Sequence, residues 1–164
     1  MTNYTFPTSI GPARITIRQV QNVERQESPF SFAEQVIGLG GQKWEADISL
    51  PEMDNDQARP WIAWLSKLKG GLHSFTMGDP AAATPLGSAG GTPLVNGASQ
   101  TGGALVLDGA ATSQTGWLKA GDMIQLGTGE DARLHMVTDD ANSDGSGNVT
   151  LNIWPDLNSS PADN

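Results

Sequence analysis

The segment Asp140-Ala141-Asn142-Ser143-Asp144-Gly145 has the residue spacing that opens a calcium-binding loop. Such a loop places carboxylate or amide oxygens at its first, third and fifth positions, before a glycine that allows a sharp turn. The acidic side chain expected at the twelfth position is missing, because Leu151 stands there within a predicted strand. A polar hairpin turn explains the same residues. The sequence therefore predicts no cofactor, and leaves only a weak calcium site at Asp140, Asn142 and Asp144 as the alternative.

Other residues that could carry catalysis are isolated from one another along the chain. His73 and His135 lie in different halves, and neither has a second histidine at metal-ligand spacing. Glu45 and Asp47 share one face of a predicted strand, as the two acids of a glycosidase could, but this face is opposite the apolar one and should be solvated. The chain contains none of the common nucleotide-binding, hydrolase or metalloprotease motifs. The sequence thus predicts a protein that is not an enzyme.

Tryptophan is the commonest aromatic residue, with five copies beside one tyrosine and four phenylalanines. Trp61 and Trp64 are three residues apart and lie side by side on a predicted helix. Core packing accounts for one of them, whereas tryptophan is also enriched at protein interfaces and sugar-binding surfaces. We take four tryptophans as candidate interface residues: Trp61, Trp64, Trp117 and Trp154.

Eighteen acidic and nine basic residues give the chain a formal net charge of −9, and it contains no cysteine. An acidic surface repels nucleic-acid backbones and anionic lipid, which argues against both as partners. The longest apolar run, Trp61 to Leu65, is far shorter than the ~20 residues of a membrane-spanning helix. The N-terminus lacks the basic and apolar regions of a signal peptide. We therefore expect a soluble protein without disulfides that is not inserted in a membrane and not secreted.

Residues 1–80 predict a β-rich domain with one helix. Alternation of apolar and polar residues indicates strands, and a glycine run at residues 38–41 indicates a turn. The predicted strands are 13–24, 30–37, 44–50 and 72–77. The expected fold of this domain is a β-sandwich with one packed α-helix.

The helix is predicted over about residues 54–69. Asp54 and Gln57 have the spacing of a capping box, in which each side chain bonds to the backbone N–H of the other residue. Pro60 conflicts with this assignment, because proline inside a helix removes a backbone hydrogen bond and clashes with the preceding turn. We therefore expect the helix either to begin near Arg59 or to kink at Pro60.

The second half of the chain predicts a small all-β domain. Residues 81–91 are small and turn-forming and predict a linker, whereas residues 92–158 contain short strands separated by turns. Consecutive strands with tight connections favour a meander in a small barrel-like domain. Residues 159–164 are predicted to be a flexible tail. The fold class is therefore mainly β, with a sandwich and helix followed by a barrel-like domain.

Six short segments between residues 28 and 163 form a recognisable series. They are G-Q-K-W-E-A-D-I-S-L-P-E-M (41–53), A-W-L-S-K-L-K-G (63–70), F-T-M-G-D-P (75–80), G-T-P-L-V-N-G-A (91–98), L-K-A-G-D-M-I-Q-L-G (118–127) and V-T-L-N-I-W-P-D-L (149–157). In this order the segments resemble a family of tailed-phage and prophage tail proteins, similar to distal tail or baseplate hub components.

This resemblance implies a structural component of the virion tail that assembles in the host cytoplasm. Such proteins form rings at the tail tip, bind copies of themselves and neighbouring tail proteins, and join the tail tube to hub or receptor-binding parts. The chain departs from the family at Pro60, and it ends soon after residues 160–163, where similar proteins continue with a further strand. We therefore expect a neighbouring subunit to supply a strand to the first domain by edge addition.

Two alternatives come from other functional classes. A carbohydrate- or receptor-binding module would use exposed tryptophan on the second domain. An enzyme of the cell-wall-degrading kind would need a pair of carboxylates or a zinc site, neither of which the sequence reveals.

Overall fold

The computed structural model describes residues 2–163 of the chain. Nine strands and one α-helix are found in this part. In chain order they are β1 (Asn3–Tyr4), β2 (Arg14–Glu27), β3 (Glu34–Ser49), α1 (Asn55–Leu68), β4 (Ser74–Phe75), β5 (Gly91–Val95), β6 (Gly102–Ala110), β7 (Met123–Leu126), β8 (Arg133–Val137) and β9 (Val149–Leu157). Short 3₁₀ turns lie at Lys69–Gly71, Pro80–Ala82 and Gly129–Asp131. The prediction of a mainly β chain with one helix is confirmed.

The second half of the chain forms one curled, antiparallel sheet with the strand order β5-β6-β9-β8-β7. Strands β7, β8 and β9 follow one another in sequence and in space, which is the predicted meander. The curl makes the sheet half of a barrel, in line with the expected barrel-like shape.

The largest hydrophobic core of the chain lies inside this curled sheet. Strand β9 alternates strictly over its first residues: Val149, Leu151 and Ile153 are buried, whereas Thr150 and Asn152 are exposed. Such alternation fits a strand with one face on the core. The core residues form one cluster, completed by Leu105, Leu107, Ala110, Trp117, Leu118, Val137, Ala141 and Leu157.

The segment before this sheet was predicted to be a linker, but its second half is attached to the sheet. The carboxylate of Asp122 accepts the backbone N–H groups of Leu86 (2.6 Å) and Gly87 (3.0 Å). The indole of Trp117 donates to the carbonyl oxygen of Gly90 at 2.7 Å. The predicted flexible tail is also bonded, because the Ser160 hydroxyl accepts the backbone N–H of the β5–β6 loop at 3.1 Å. Asn164, the last residue of that tail, lies outside the described residues.

Helix α1 begins with the predicted capping box. The Asp54 carboxylate accepts the backbone N–H of Gln57 at 2.9 Å, and the Gln57 side chain accepts that of Asp54 at 3.2 Å. The helix therefore starts at Asn55 with Pro60 inside it, which excludes the alternative of a start near Arg59. The two capping bonds satisfy first-turn donors and stabilise a turn that proline alone would weaken.

An aromatic cluster packs the helix against the start of the chain. Trp61 and Trp64 both meet Phe6 edge to face, with ring centroids 5.2 and 5.5 Å apart, and Trp64 meets Phe75 at 4.9 Å. Phe75 belongs to β4, which pairs in parallel with β1. The strands of residues 2–80 thus form this short pair and the β2–β3 hairpin, a simpler arrangement than the expected sandwich.

The β2–β3 hairpin corrects two sequence assignments. Residues 30–33 belong to its turn instead of a strand, and β3 begins at Glu34. The glycine run 38–41 is not a turn but part of β3, where three residues lie opposite Asn22 alone. Glycine suits such a bulge because Gly40 has a φ of +75°. The hairpin is consequently much longer than the sequence pattern indicated.

Candidate interaction surface

The outer part of the hairpin, residues 22–40, is named here the arm. Apart from the half-buried Ser28, each of its residues is exposed, so no hydrophobic core formed by residues 2–163 covers it. Large apolar side chains are nevertheless present along it, at exposed fractions from 39% to 95%. They are Val23, Phe30, Phe32, Val36, Ile37 and Leu39. So many large apolar side chains exposed on one projection favour a site of interaction.

The tip of the arm presents two phenylalanines to solvent. Phe30 is 95% exposed and Phe32 is 76% exposed. The turn is closed by two backbone hydrogen bonds, from Ser28 to the carbonyl oxygen of Ala33 (3.0 Å) and from Phe32 to that of Ser28 (2.9 Å). Phe32 has a φ of +54°, a left-handed conformation that is unfavourable for a bulky residue and is often retained at functional sites. The backbone thus holds both rings outward.

Acidic residues surround the tip. Glu27 and Glu34 are direct cross-strand partners, an arrangement that repels. Arg25 bonds Glu34 at 3.3 Å, whereas Glu27 has no ion pair within residues 2–163. The arm therefore combines apolar groups with a net negative charge.

The base of the hairpin is attached to the five-stranded sheet. The rings of Trp44 and Trp154 meet edge to face, with centroids 4.6 Å apart. The Trp44 indole donates to the carbonyl oxygen of Leu134 at 2.9 Å, and the Gln42 side chain accepts the backbone N–H of Asp156 at 2.7 Å. The arm is therefore a projection from an anchored base.

Glu45 and Asp47 lie at this base and form ion pairs there. Both contact Arg18, at 2.7 Å from Glu45 and 3.6 Å from Asp47, and Lys43 bonds Glu45 at 3.1 Å. The hydrogen bond from Arg18, with that from Lys43, lowers the pKa of the Glu45 carboxyl. Both carboxylates are well exposed, as predicted for the solvated face of the strand.

The four tryptophans chosen as candidate interface residues are all buried within the chain. Trp61 is 4% exposed and Trp117 2%, and Trp64 and Trp154 are similarly covered. Trp61 and Trp64 pack on Phe6, Trp117 belongs to the core of the five-stranded sheet, and Trp154 packs on Trp44 of the hairpin. The aromatic residues that are exposed on the surface are instead the phenylalanines of the arm.

The proposed calcium ligands point to three separate backbone sites. Asp140 accepts the N–H of Ala120 (3.0 Å) and Asn142 that of Gly116 (2.7 Å). Asp144 accepts bonds from the side chain and backbone of Asn148, both at 2.8 Å, and these bonds lower the pKa of its carboxyl. The three side chains thus fix turns, and residues 2–163 contain no group of three acidic, histidine or cysteine side chains placed to hold a metal.

The two histidines lie apart, as their places in the sequence suggest. His135 is buried on β8, where its Nδ1 lies 2.7 Å from the carbonyl oxygen of Pro155. Burial lowers the pKa of this imidazole. His73 lies beside Tyr4, with ring centroids 5.5 Å apart. The structure does not bring the histidines together as a catalytic or metal site.

Sequence reasoning missed the arm, although one signal was available. Phe30 and Phe32 alternate as in a strand, but they are flanked by Ser28, Pro29 and Ser31, which are turn-forming residues. Weighting these residues more heavily would have placed the phenylalanines in a hairpin turn.

A second group of exposed apolar side chains, named here the helix patch, lies on helix α1 and just after it. It consists of Ile62, Leu65 and Leu72, which are 61%, 55% and 59% exposed. Trp61 and Trp64 are the buried residues of the helix, and Leu65, four residues after Trp61, lies at the edge of their side. Within residues 2–163 no helix is long and apolar enough to cross a bilayer.

Comparison with protein families places the second half of the chain. Residues 81–164 match the family described as distal tail protein pb9, B domain. The match covers 84 of the 164 residues, which is the curled sheet with the segment attached to it. A search of curated proteins finds no match. The chain therefore belongs to the distal tail protein pb9 B-domain family, and it is a structural protein of the phage tail.

Proposed function

We propose that this protein forms a ring at the distal end of the tail, as a baseplate hub component that joins the tail tube to tip or receptor-binding parts. Its partners are copies of itself and the adjacent tail proteins. The observation that supports this proposal is the arm, an exposed apolar projection on a base fixed to a folded sheet.

The arm favours contact between identical subunits in a head-to-tail manner. Its tip is exposed, so it is free to meet a different surface on the next copy. Contacts between two different surfaces generate closed rings when the rotation between subunits closes. A ring around the tail axis satisfies this condition.

The hairpin also offers free strand edges. Strands β2 and β3 pair only with each other within the described part of the chain, which leaves an outer edge on both. An extended segment of a neighbouring subunit can add to such an edge through backbone hydrogen bonds. This arrangement would realise the strand addition expected from the sequence, with assembly in the host cytoplasm before the tail is complete.

Removing the arm tests the proposal. Gln21 and Gln42 are cross-strand partners, so replacing residues 22–41 with Asn-Gly joins them through a two-residue hairpin turn. We expect the full chain to sediment as a closed oligomer and the shortened chain as a folded monomer. Gold-labelled antibody should mark the distal end of the tail in virions.

A control separates loss of the arm from loss of the fold. The variant Ser146→Gly changes an exposed turn of the five-stranded sheet and should assemble normally. A full chain that stays monomeric at every concentration, together with label elsewhere on the virion, would refute the proposal.

The carbohydrate-binding alternative loses the feature that motivated it. It required exposed tryptophan on the second domain, but Trp117 and Trp154 are 2% and 7% exposed.

A further inference from the structure

A basic residue, Arg59, lies beside the helix patch, in contrast to the acidic chain as a whole. Residues 57–78 contain Arg59, Lys67 and Lys69 and no acidic residue, with Asp56 one turn before Arg59, although the net charge of the protein is −9. None of these three cations forms an ion pair within residues 2–163. On the helix, Arg59 is three residues before Ile62, so the two side chains are neighbours on one exposed surface.

The tip of the arm has the opposite character. Phe30 and Phe32 are its apolar groups, and Glu27 beside them has no cationic partner in the described structure. The Glu27–Glu34 pair adds repulsion that a nearby external cation would relieve. The tip therefore suits an apolar surface with basic residues at its rim.

We infer that the arm tip of one copy docks on the helix patch of the next copy. Phe30 and Phe32 cover Ile62, Leu65 and Leu72, and Glu27 approaches Arg59. Within one chain the tip and the patch are both exposed, so each is unoccupied by the other. The match of apolar groups and of charge selects a second copy as the partner, ahead of another tail protein. This inference rests on the proposed ring.

Disulfide trapping tests the contact directly, because the chain contains no cysteine. Ser31→Cys places one thiol between the two phenylalanines, and Ser66→Cys places the other beside the helix patch; both positions are exposed. Mixing the two single variants under mild oxidation should give a linked dimer of two chains. The matched control mixes Ser31→Cys with Ser146→Cys, an exposed position on the five-stranded sheet.

Charge exchange provides a second test that retains the apolar groups. Glu27→Lys and Arg59→Glu should each weaken association by about two- to fivefold, and the two together should restore it. Phe30→Ser should weaken association by about tenfold or more without affecting the monomer, since this side chain is almost fully exposed.

The outcomes distinguish the inference from the proposed function. Selective trapping and restoration by the double charge exchange support the docking. Closed oligomers with no more trapping than in the control overturn the docking and leave the ring intact. Trapping of Ser31→Cys only to another tail protein also overturns it. A chain that never oligomerises overturns both.

Discussion

Replacing Asp122 by alanine should lower the stability of the second half of the chain more than any surface change. The Asp122 side chain is 3% exposed, and its two oxygens accept backbone N–H groups from Leu86 (2.6 Å), Gly87 (3.0 Å) and Lys119 (2.8 Å). These bonds fix residues 86 and 87 to the turn before β7. Alanine leaves all three donors without their partner.

The magnitude follows from the surroundings of each donor. A hydrogen bond to a charged group contributes about 1.5–3 kcal/mol, and a buried donor left unpaired costs about 1–3 kcal/mol. The backbone N–H groups of Leu86 and Lys119 belong to exposed residues and can bond to water instead. The N–H of Gly87 belongs to a half-buried residue. We therefore expect Asp122→Ala to reduce the free energy of unfolding by about 3–4 kcal/mol, or roughly 10 °C in Tm.

The same carboxylate predicts a dependence on pH. Burial alone would raise the pKa of Asp122, but the bonds from Lys119, Leu86 and Gly87 outweigh it, and the pKa is lowered. The unfolded chain then takes up the proton first as pH falls below about 3.9. The stabilisation by Asp122 is complete above that pH and is lost below it, through the folded pKa.

Urea unfolding followed by tryptophan fluorescence measures this difference, because Trp117 bonds to Gly90 in the attached segment. The control Asp156→Ala removes an exposed carboxylate of the same sheet and should change the free energy of unfolding by less than about 0.5 kcal/mol. A loss below about 1 kcal/mol for Asp122→Ala, or a loss that stays constant as the pH falls below about 3.9, would refute this reasoning.

Three further predictions concern other parts of the chain. Burial lowers the pKa of His135, so the free energy of unfolding should fall as the pH drops below about 6.5, and urea titrations of His135→Gln should show a flatter profile. Trp44→Leu removes the contact with Trp154 and the bond to Leu134, and should detach the base of the hairpin at a cost of about 1–3 kcal/mol, visible as faster amide exchange in β3. Because the Asp144 carboxylate is engaged by Asn148, millimolar calcium should leave Tm unchanged, and a rise in Tm would revive the calcium site.

The sequence predicted elements best where a strand or helix has a core to face. β9 and α1 were found near their true bounds because burial on one side imposes a period on the residues. The Asp54–Gln57 pair also marked the helix start correctly, since capping is a local interaction. The domain boundaries remain a prediction.

The arm could not be predicted in the same way. Both faces of the arm are exposed, so no core imposes an alternation of apolar and polar residues on its strands. Val23, Val36 and Ile37 accordingly do not show the two-residue period of a half-buried strand. The glycine run 38–41 indicates a turn as readily as a bulge, because both use glycine for the same backbone freedom. The burial of the four candidate interface tryptophans could not be foreseen either, because composition does not reveal whether a side chain is covered.

The long β2–β3 hairpin has a mechanical consequence for a tail that must withstand force. If its tip is gripped by a neighbour while Trp44 holds the base, a pull along the arm is borne by two covalent backbones side by side. The hydrogen bonds between the two strands are perpendicular to this load and are not stretched by it. Such an arm resists tension along its length, and it fails only when the contacts of its tip or of its base break.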